Sequence, residues 1–209
     1  MEVPWTEMTV RDFQSALASS SPTPGGGTAA AIALGQSAAL VVMVCDLTLG
    51  KEKWKDGWSI CEEALPFAVN AMTVSGELAS DDSSAFDKVM DSFKLPKTTD
   101  DEISFRRKSI RESTLLAAEV PFKTAKLALE LLKFMPELAQ KGNNNAISDV
   151  GVAGLLASAA CKGALFNVDI NLNSLPDDMG VEIRNSIETV RDECRTISRK
   201  IMDDVRDNL

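Results

Sequence analysis

Two stretches of this chain are apolar on almost every side, and they limit what it can fold into. Residues 28–49 and 150–167 are rich in alanine, with glycines at Gly35, Gly151 and Gly154. A helix that is apolar all round either crosses a membrane or occupies the centre of a core. In the first stretch Gly35-Gln36-Ser37 and Asp46 interrupt the apolar run and leucine-type bulk is sparse, so a core helix is expected rather than a span. Small side chains let backbones approach closely. The two helices are therefore expected to pack centrally or across a dimer axis.

The remaining pattern is helical throughout. Thr9 with Asp12 resembles a capping box and opens a short helix over residues 9–19. Residues 20–27 (Ser-Ser-Pro-Thr-Pro-Gly-Gly-Gly) read as a non-helical loop. Residues 56–93 follow a helical period, with a kink expected near Pro66 and a restart near Asp81 or Asp82. Thr99 to Glu102 is a second capping box, and its helix should meet a kink or break at Pro121 before running on to Lys141, with Gly142 as the stop. Residues 143–149 read as a polar loop with an N-cap at Ser148 or Asp149. The tail of the second alanine-rich helix, residues 166–172, alternates apolar and polar, and helix is preferred there to an extended ending. Pro176 is expected to open the last helix, where Ile183, Ile187, Val190, Cys194, Ile197, Ile201 and Val205 form one apolar stripe. The expectation is an all-α, single-domain helical bundle over residues 1–209, with two central alanine-rich helices and a long amphipathic C-terminal helix.

Composition removes several classes of chemistry. The chain has no histidine, hence no imidazole base, no His-bound zinc and no Ser-His-Asp or Cys-His arrangement. Its four cysteines (Cys45, Cys61, Cys161, Cys194) have no metal-ligand spacing and lie in apolar stretches, as buried thiols of a reducing compartment do. The polar, acidic N-terminus does not read as a signal peptide, so a soluble, cytoplasmic protein without metal or cofactor is expected. A net charge of −9 speaks against nucleic acid and anionic membrane as partners.

Four segments can carry chemistry. Gly25-Gly26-Gly27-Thr28 before a long helix is either an anion-receiving turn or a flexible turn with a cap; the Gly-Lys-Ser/Thr end of a nucleotide loop is missing. Lys51, near Trp54, either complements the C-terminal end of the helix dipole or belongs to a cationic and aromatic patch. Asp82 and Phe86 share a helix face, so Asp82 is either a base of raised pKa beside an aromatic ring or a solvated N-cap. Asp81 points about 100° away, so the two aspartates do not form a working pair. Lys94 and Lys97 add positive charge one loop later. Asn143 and Asp149, at an amide-rich turn, and Asn167, one helical turn before Asn171, are either capping groups or contacts for a heterocyclic ligand.

In order along the chain, residues 22–28 (Pro-Thr-Pro-Gly-Gly-Gly-Thr), Thr48-Leu49-Gly50-Lys51, Asp82-Ser83-Ser84-Ala85-Phe86, Phe93-Lys94-Leu95-Pro96-Lys97, Gly142-Asn143-Asn144-Asn145 with Ser148-Asp149-Val150-Gly151, and residues 163–172 resemble the cyclodeaminase/cyclohydrolase family of folate enzymes. Trp54 departs from the family's usual Tyr, and Phe166 from a smaller apolar residue. The resemblance implies an all-α homodimer with folate bound in a cleft near the subunit interface. It implies Asp82 as base or cation partner of a methenyltetrahydrofolate cyclohydrolase. Gly25, Gly26, Gly27 and the lysines Lys51, Lys94 and Lys97 are implied contacts for the glutamate tail or pterin, Asn143, Asp149 and Asn167 for the pterin. With no room for a transferase domain, the cyclohydrolase is favoured over formiminotetrahydrofolate cyclodeaminase, which expels ammonia through the same cation. A non-catalytic helical dimerisation protein is the reading of another kind, and it leaves three consecutive glycines without a purpose.

Overall fold

A computed structural model describes residues 3–209 of the chain. The helices are α1 (Val10–Leu17), α2 (Gly26–Thr48), α3 (Trp58–Lys94), α4 (Asp100–Lys141), α5 (Ile147–Asn173) and α6 (Val181–Asn208), with 3-10 turns at Trp5–Glu7, Glu52–Gly57 and Asn144–Ala146; no strand occurs among the described residues. Helices α2, α3, α4 and α5 form a square in which each packs on the next, and α6 covers the edge between α4 and α5. The all-α bundle expected above is therefore what forms.

Alanines make the square tight. Ala30 and Ala38 of α2, Ala64, Ala68 and Ala71 of α3, Ala118, Ala125 and Ala128 of α4, and Ala153, Ala157, Ala160 and Ala164 of α5 are all in the buried core. Small contact side chains bring helix axes to the lower end of the usual 8–10 Å separation. The α6 stripe seats as its spacing predicts, with six of its residues buried and Ile197 partly so. The four cysteines are buried and free; Cys45 neighbours Cys61, and Cys161 neighbours Cys194.

Several boundaries differ from the sequence reading, each for a packing reason. Helix α2 starts at Gly26, two residues early, because its first turn is completed from outside by α3. Helix α3 shows no restart at Asp81 or Asp82 and runs through Pro66, so Asp82 is a mid-helix residue and not an N-cap. Helix α4 begins at the Thr99–Glu102 capping box as expected but runs unbroken through Pro121, and through Pro136 as well. In so long and well-packed a helix, tertiary burial outweighs the one hydrogen bond each proline forfeits. Helix α5 starts at Ile147 with Ala146 as N-cap, in place of Ser148 or Asp149, and stays helical to Asn173. The last helix starts at Val181, not Pro176. Gly180, at φ 66°, provides the left-handed turn into it, and Arg184 reaches back to donate to the carbonyls of Leu172, Leu175 and Met179.

At the end of the bundle where α2 stops, Asn143 is held by the backbone. Its Nδ2 donates to the Leu47 carbonyl (2.8 Å), its Oδ1 accepts from Asn145 N–H (3.0 Å), and its own N–H donates to Thr48 Oγ1 (3.0 Å). Asn143→Ala is expected to lower unfolding free energy by about 1–3 kcal/mol, the usual cost of unpairing buried polar groups. Chemical denaturation measures this, and an unchanged midpoint would remove the structural role.

Candidate active site

At the opposite end of the bundle the N-terminus of α2 runs into the middle of α3. The first backbone bond of α2 is Ala29 N–H to Gly25 O (3.0 Å), so the N–H groups of Gly26, Gly27 and Thr28 precede the intrahelical ladder. Asp82 meets them from α3. Its Oδ2 accepts from Thr28 Oγ1 at 3.0 Å, and the nearby Thr28 backbone N–H also favours the charged carboxylate. A β-carbon on Gly27 would overlap that carboxylate, so only a residue without a side chain allows the approach. Asp82 is thus an N-cap after all, but for another helix: it caps α2 across space.

Two opposed effects act on Asp82. Burial raises its pKa above the ordinary 3.8 and is the larger; the side-chain and backbone bonds from Thr28 lower it; the net shift is upward. The carboxyl group is held by defined donors and has a higher proton affinity than a surface aspartate.

A cavity of about 170 Å³ opens beside it, lined by Pro22, Thr23, Gly25, Gly26, Gly27, Asp82, Phe86, Ala117, Asn167 and Asn171. Asp82 is the one ionisable group in this lining. Asn171 Nδ2 donates to Ala117 O (2.8 Å) and Asn167 O (2.9 Å), so both amide hydrogens are committed and its carbonyl oxygen is what it can offer a ligand. Asn167 Nδ2 donates to Gly163 O (3.0 Å), keeping one N–H and its oxygen. Phe86, one turn beyond Asp82, adds an aromatic wall that is 38% exposed. A single desolvated carboxylate, two helix-start N–H groups, two amides and a ring suit a flat, polar, cationic guest.

Of the sequence candidates, Gly25, Gly26, Gly27, Asp82, Phe86 and Asn167 meet in this cavity, and Thr28 stands behind Asp82, fully buried. Lys51, Asn143 and Asp149 lie at the other end of α2 and α5, on the order of 30 Å away by helix rise. Lys94 is solvent-exposed and paired with Asp91 (2.8 Å), which raises its pKa, and Lys97 is exposed on the following loop. Neither lines the cavity of its own chain. Ala117 and Thr23 also line the cavity and are not among those candidates. Ala117 carries no chemical signal in sequence, whereas Asn171 is marked by its four-residue spacing from Asn167.

The formiminotransferase-cyclodeaminase family profile matches residues 9–191. The chain belongs to this family. The resemblance read from the collinear motifs is borne out. The chain is 38% identical over 199 residues to methenyltetrahydrofolate cyclohydrolase of Methylorubrum extorquens, covering 95% of this chain and 96% of that protein. It is 32% identical over 191 residues to formimidoyltransferase-cyclodeaminase of Rattus norvegicus, covering 91% of this chain but 35% of that longer protein. The fold matches the crystal structure of formiminotetrahydrofolate cyclodeaminase from Thermotoga maritima with a TM-score of 0.85, over 96% of this chain and 97% of that one, at 24% identity.

Thr28→Val keeps the buried shape and deletes the hydroxyl that holds down the Asp82 pKa. The Asp82 carboxyl titration, followed by carbon NMR, is expected to move to higher pH. A downward move would mean that Thr28 does not stabilise the ionised form.

Proposed function

We propose that this family member is a methenyltetrahydrofolate cyclohydrolase, converting 5,10-methenyltetrahydrofolate and water to 10-formyltetrahydrofolate. The observation that carries the reading is Asp82, a desolvated carboxylate that is the one charge in the cavity lining. The methenyl substrate holds a cation delocalised over N5, the bridging carbon and N10, and a lone carboxylate in a partly dry site stabilises it. The greater identity to the cyclohydrolase relative supports this activity over ammonia release.

Asp82 removes a proton as water adds to the bridging carbon, giving a tetrahedral hydroxy adduct. The adduct collapses with cleavage of the N5–carbon bond; N5 takes a proton, the hydroxyl loses one, and the formyl group stays on N10. One proton is released overall. The N–H groups of Gly26 and Gly27 face the oxygen as it gains charge, and Asn167 and Asn171 hold the ring edge. No metal or cofactor enters any step. The cavity volume suits one bicyclic ring, so the rest of the folate extends past Phe86.

A cytoplasmic homodimer serving one-carbon metabolism is part of this proposal. The outer face of α2 and α5 exposes Met43, Leu47, Val152, Leu155, Phe166 (62%) and Ile170 (69%), an apolar band that a second copy would cover. An antiparallel pairing through it would set the Lys51 and Asn143 end of one copy near the Asp82 end of the other, the arrangement in which Lys51, Asn143 and Asp149 contact ligand.

Loss of near-ultraviolet absorbance of methenyltetrahydrofolate, with ammonia release from formiminotetrahydrofolate as the comparison, tests the activity directly. Asp82→Asn is nearly isosteric, should leave melting unchanged, and should cut hydrolysis by about 10²–10⁴-fold. Turnover within about threefold of wild type would move the search to Asp149. Because an ionised Asp82 is the base, the rate should fall as pH drops through a value above 3.8, not at it. Sedimentation should give a dimer mass at micromolar concentration; a monomer would refute the pairing.

A further inference from the structure

The hydrogen bonding around Asp82 does not end at Thr28. Thr28 Oγ1 also lies 3.1 Å from Ser83 Oγ, and Ser83 Oγ accepts from the indole Nε1–H of Trp5 at 3.0 Å. Thr28 and Ser83 are buried, and Trp5 is half-buried. The direction of this chain is set at both ends. An indole N–H can only donate and an ionised carboxylate can only accept. Ser83 therefore turns its own proton toward Thr28, and Thr28 turns its proton to Asp82 Oδ2.

We propose that Trp5 is a positioning residue for Asp82, acting through the ordered chain Trp5 Nε1–H, Ser83 Oγ–H, Thr28 Oγ1–H, Asp82 Oδ2. The proposal rests on Asp82 being the base of the proposed reaction. With the indole in place, Ser83 cannot easily reverse, because it would then accept twice and its proton would have to leave the chain. A proton on Asp82 Oδ2 demands that reversal, so the chain favours the ionised carboxylate and fixes its rotamer against the α2 N-terminus. The indole is itself held: Trp5 meets Phe13 of α1 edge-on, with centroids 6.3 Å apart, and Thr6 fits over Gly76 of α3. The first helical turn of the protein thereby completes a site formed by residues far along the chain, and the seating of that segment tunes the base.

The test is the pH dependence of kcat/KM for methenyltetrahydrofolate in wild type, Trp5→Phe, Ser83→Ala, the double variant and Asp82→Asn. Trp5→Phe and Ser83→Ala are each expected to raise the acid limb by roughly half a pH unit. The double variant should move it no further than the larger single change, because both break one chain. Ser83→Ala leaves the indole packing intact, so it decides the matter if Trp5→Phe folds poorly. If the limb stays within about a tenth of a unit of wild type in Ser83→Ala, the proposal is overturned. A rate lowered equally at all pH values by Trp5→Phe, additive with Ser83→Ala, likewise overturns it and assigns Trp5 a packing role. Full activity in Asp82→Asn is a different result: it removes the base itself and with it the reading on which this inference stands.

Discussion

The separation of α2 from α3 governs the rest of the molecule. Along the face of α2 toward α3 stand Gly27 and Gly35, eight residues apart, and opposite them stand Asp82 and Ser75; a β-carbon at either glycine would collide with the side chain facing it. On the other side of α2, Ser37 Oγ donates to Ala153 O of α5 (2.7 Å). With so little volume between the helices, each buried alanine contributes modest burial, and cohesion comes from the number of close contacts. Such a core has no slack. An added methylene forces backbone shifts that typically cost about 1–3 kcal/mol.

That spacing also creates the site. Only where α2 comes this close can a carboxylate from the middle of α3 cap its first turn, and only a helix start offers N–H groups not already bonded. The arrangement costs stability. The folded Asp82 binds its proton more tightly than the unfolded chain does, so its contribution to stability is greatest below pH 3.8 and is lost as pH rises through the raised value. At neutral pH the buried charge is a cost to stability, offset by the Thr28 bonds and by the core around it. An acidic chain with a buried carboxylate is also electrostatically consistent with a cationic reacting centre.

Much of this was legible in the sequence, and for local reasons. The α6 stripe is a periodicity, the Thr99 cap is a four-residue pattern, and Asp82 with Phe86 on one face follows from helix geometry. What misled was also local. Proline at Pro121 and the aspartates near Asp82 are boundary signals in isolation, yet long-range packing carries α4 and α3 straight through them. The glycine run looked like loop because glycine disfavours helix, whereas two of the glycines are helical and are needed for what approaches them. Asn143 is a ligand candidate in sequence because amides in apolar surroundings need partners; backbone groups at the end of α2 supply part of that need.

The sequence by itself determined that this chain is helical, that two helices rich in small residues belong to its core, and that no imidazole takes part in its chemistry, because composition, period and spacing are properties of neighbours along the chain. Only the tertiary structure decided which motifs share a site. It brought Gly25, Gly26, Gly27, Asp82 and Asn167 into one cavity, left Lys94 and Lys97 in solvent, and set Lys51 and Asn143 at the far end of the bundle. The physical reason is that a helix converts about 1.5 Å of rise per residue into distance along its axis, while lateral neighbours are chosen by side-chain volume across the interface. No residue's spacing in sequence records that choice, and Trp5, joined to Asp82 through two hydroxyls, is its clearest case.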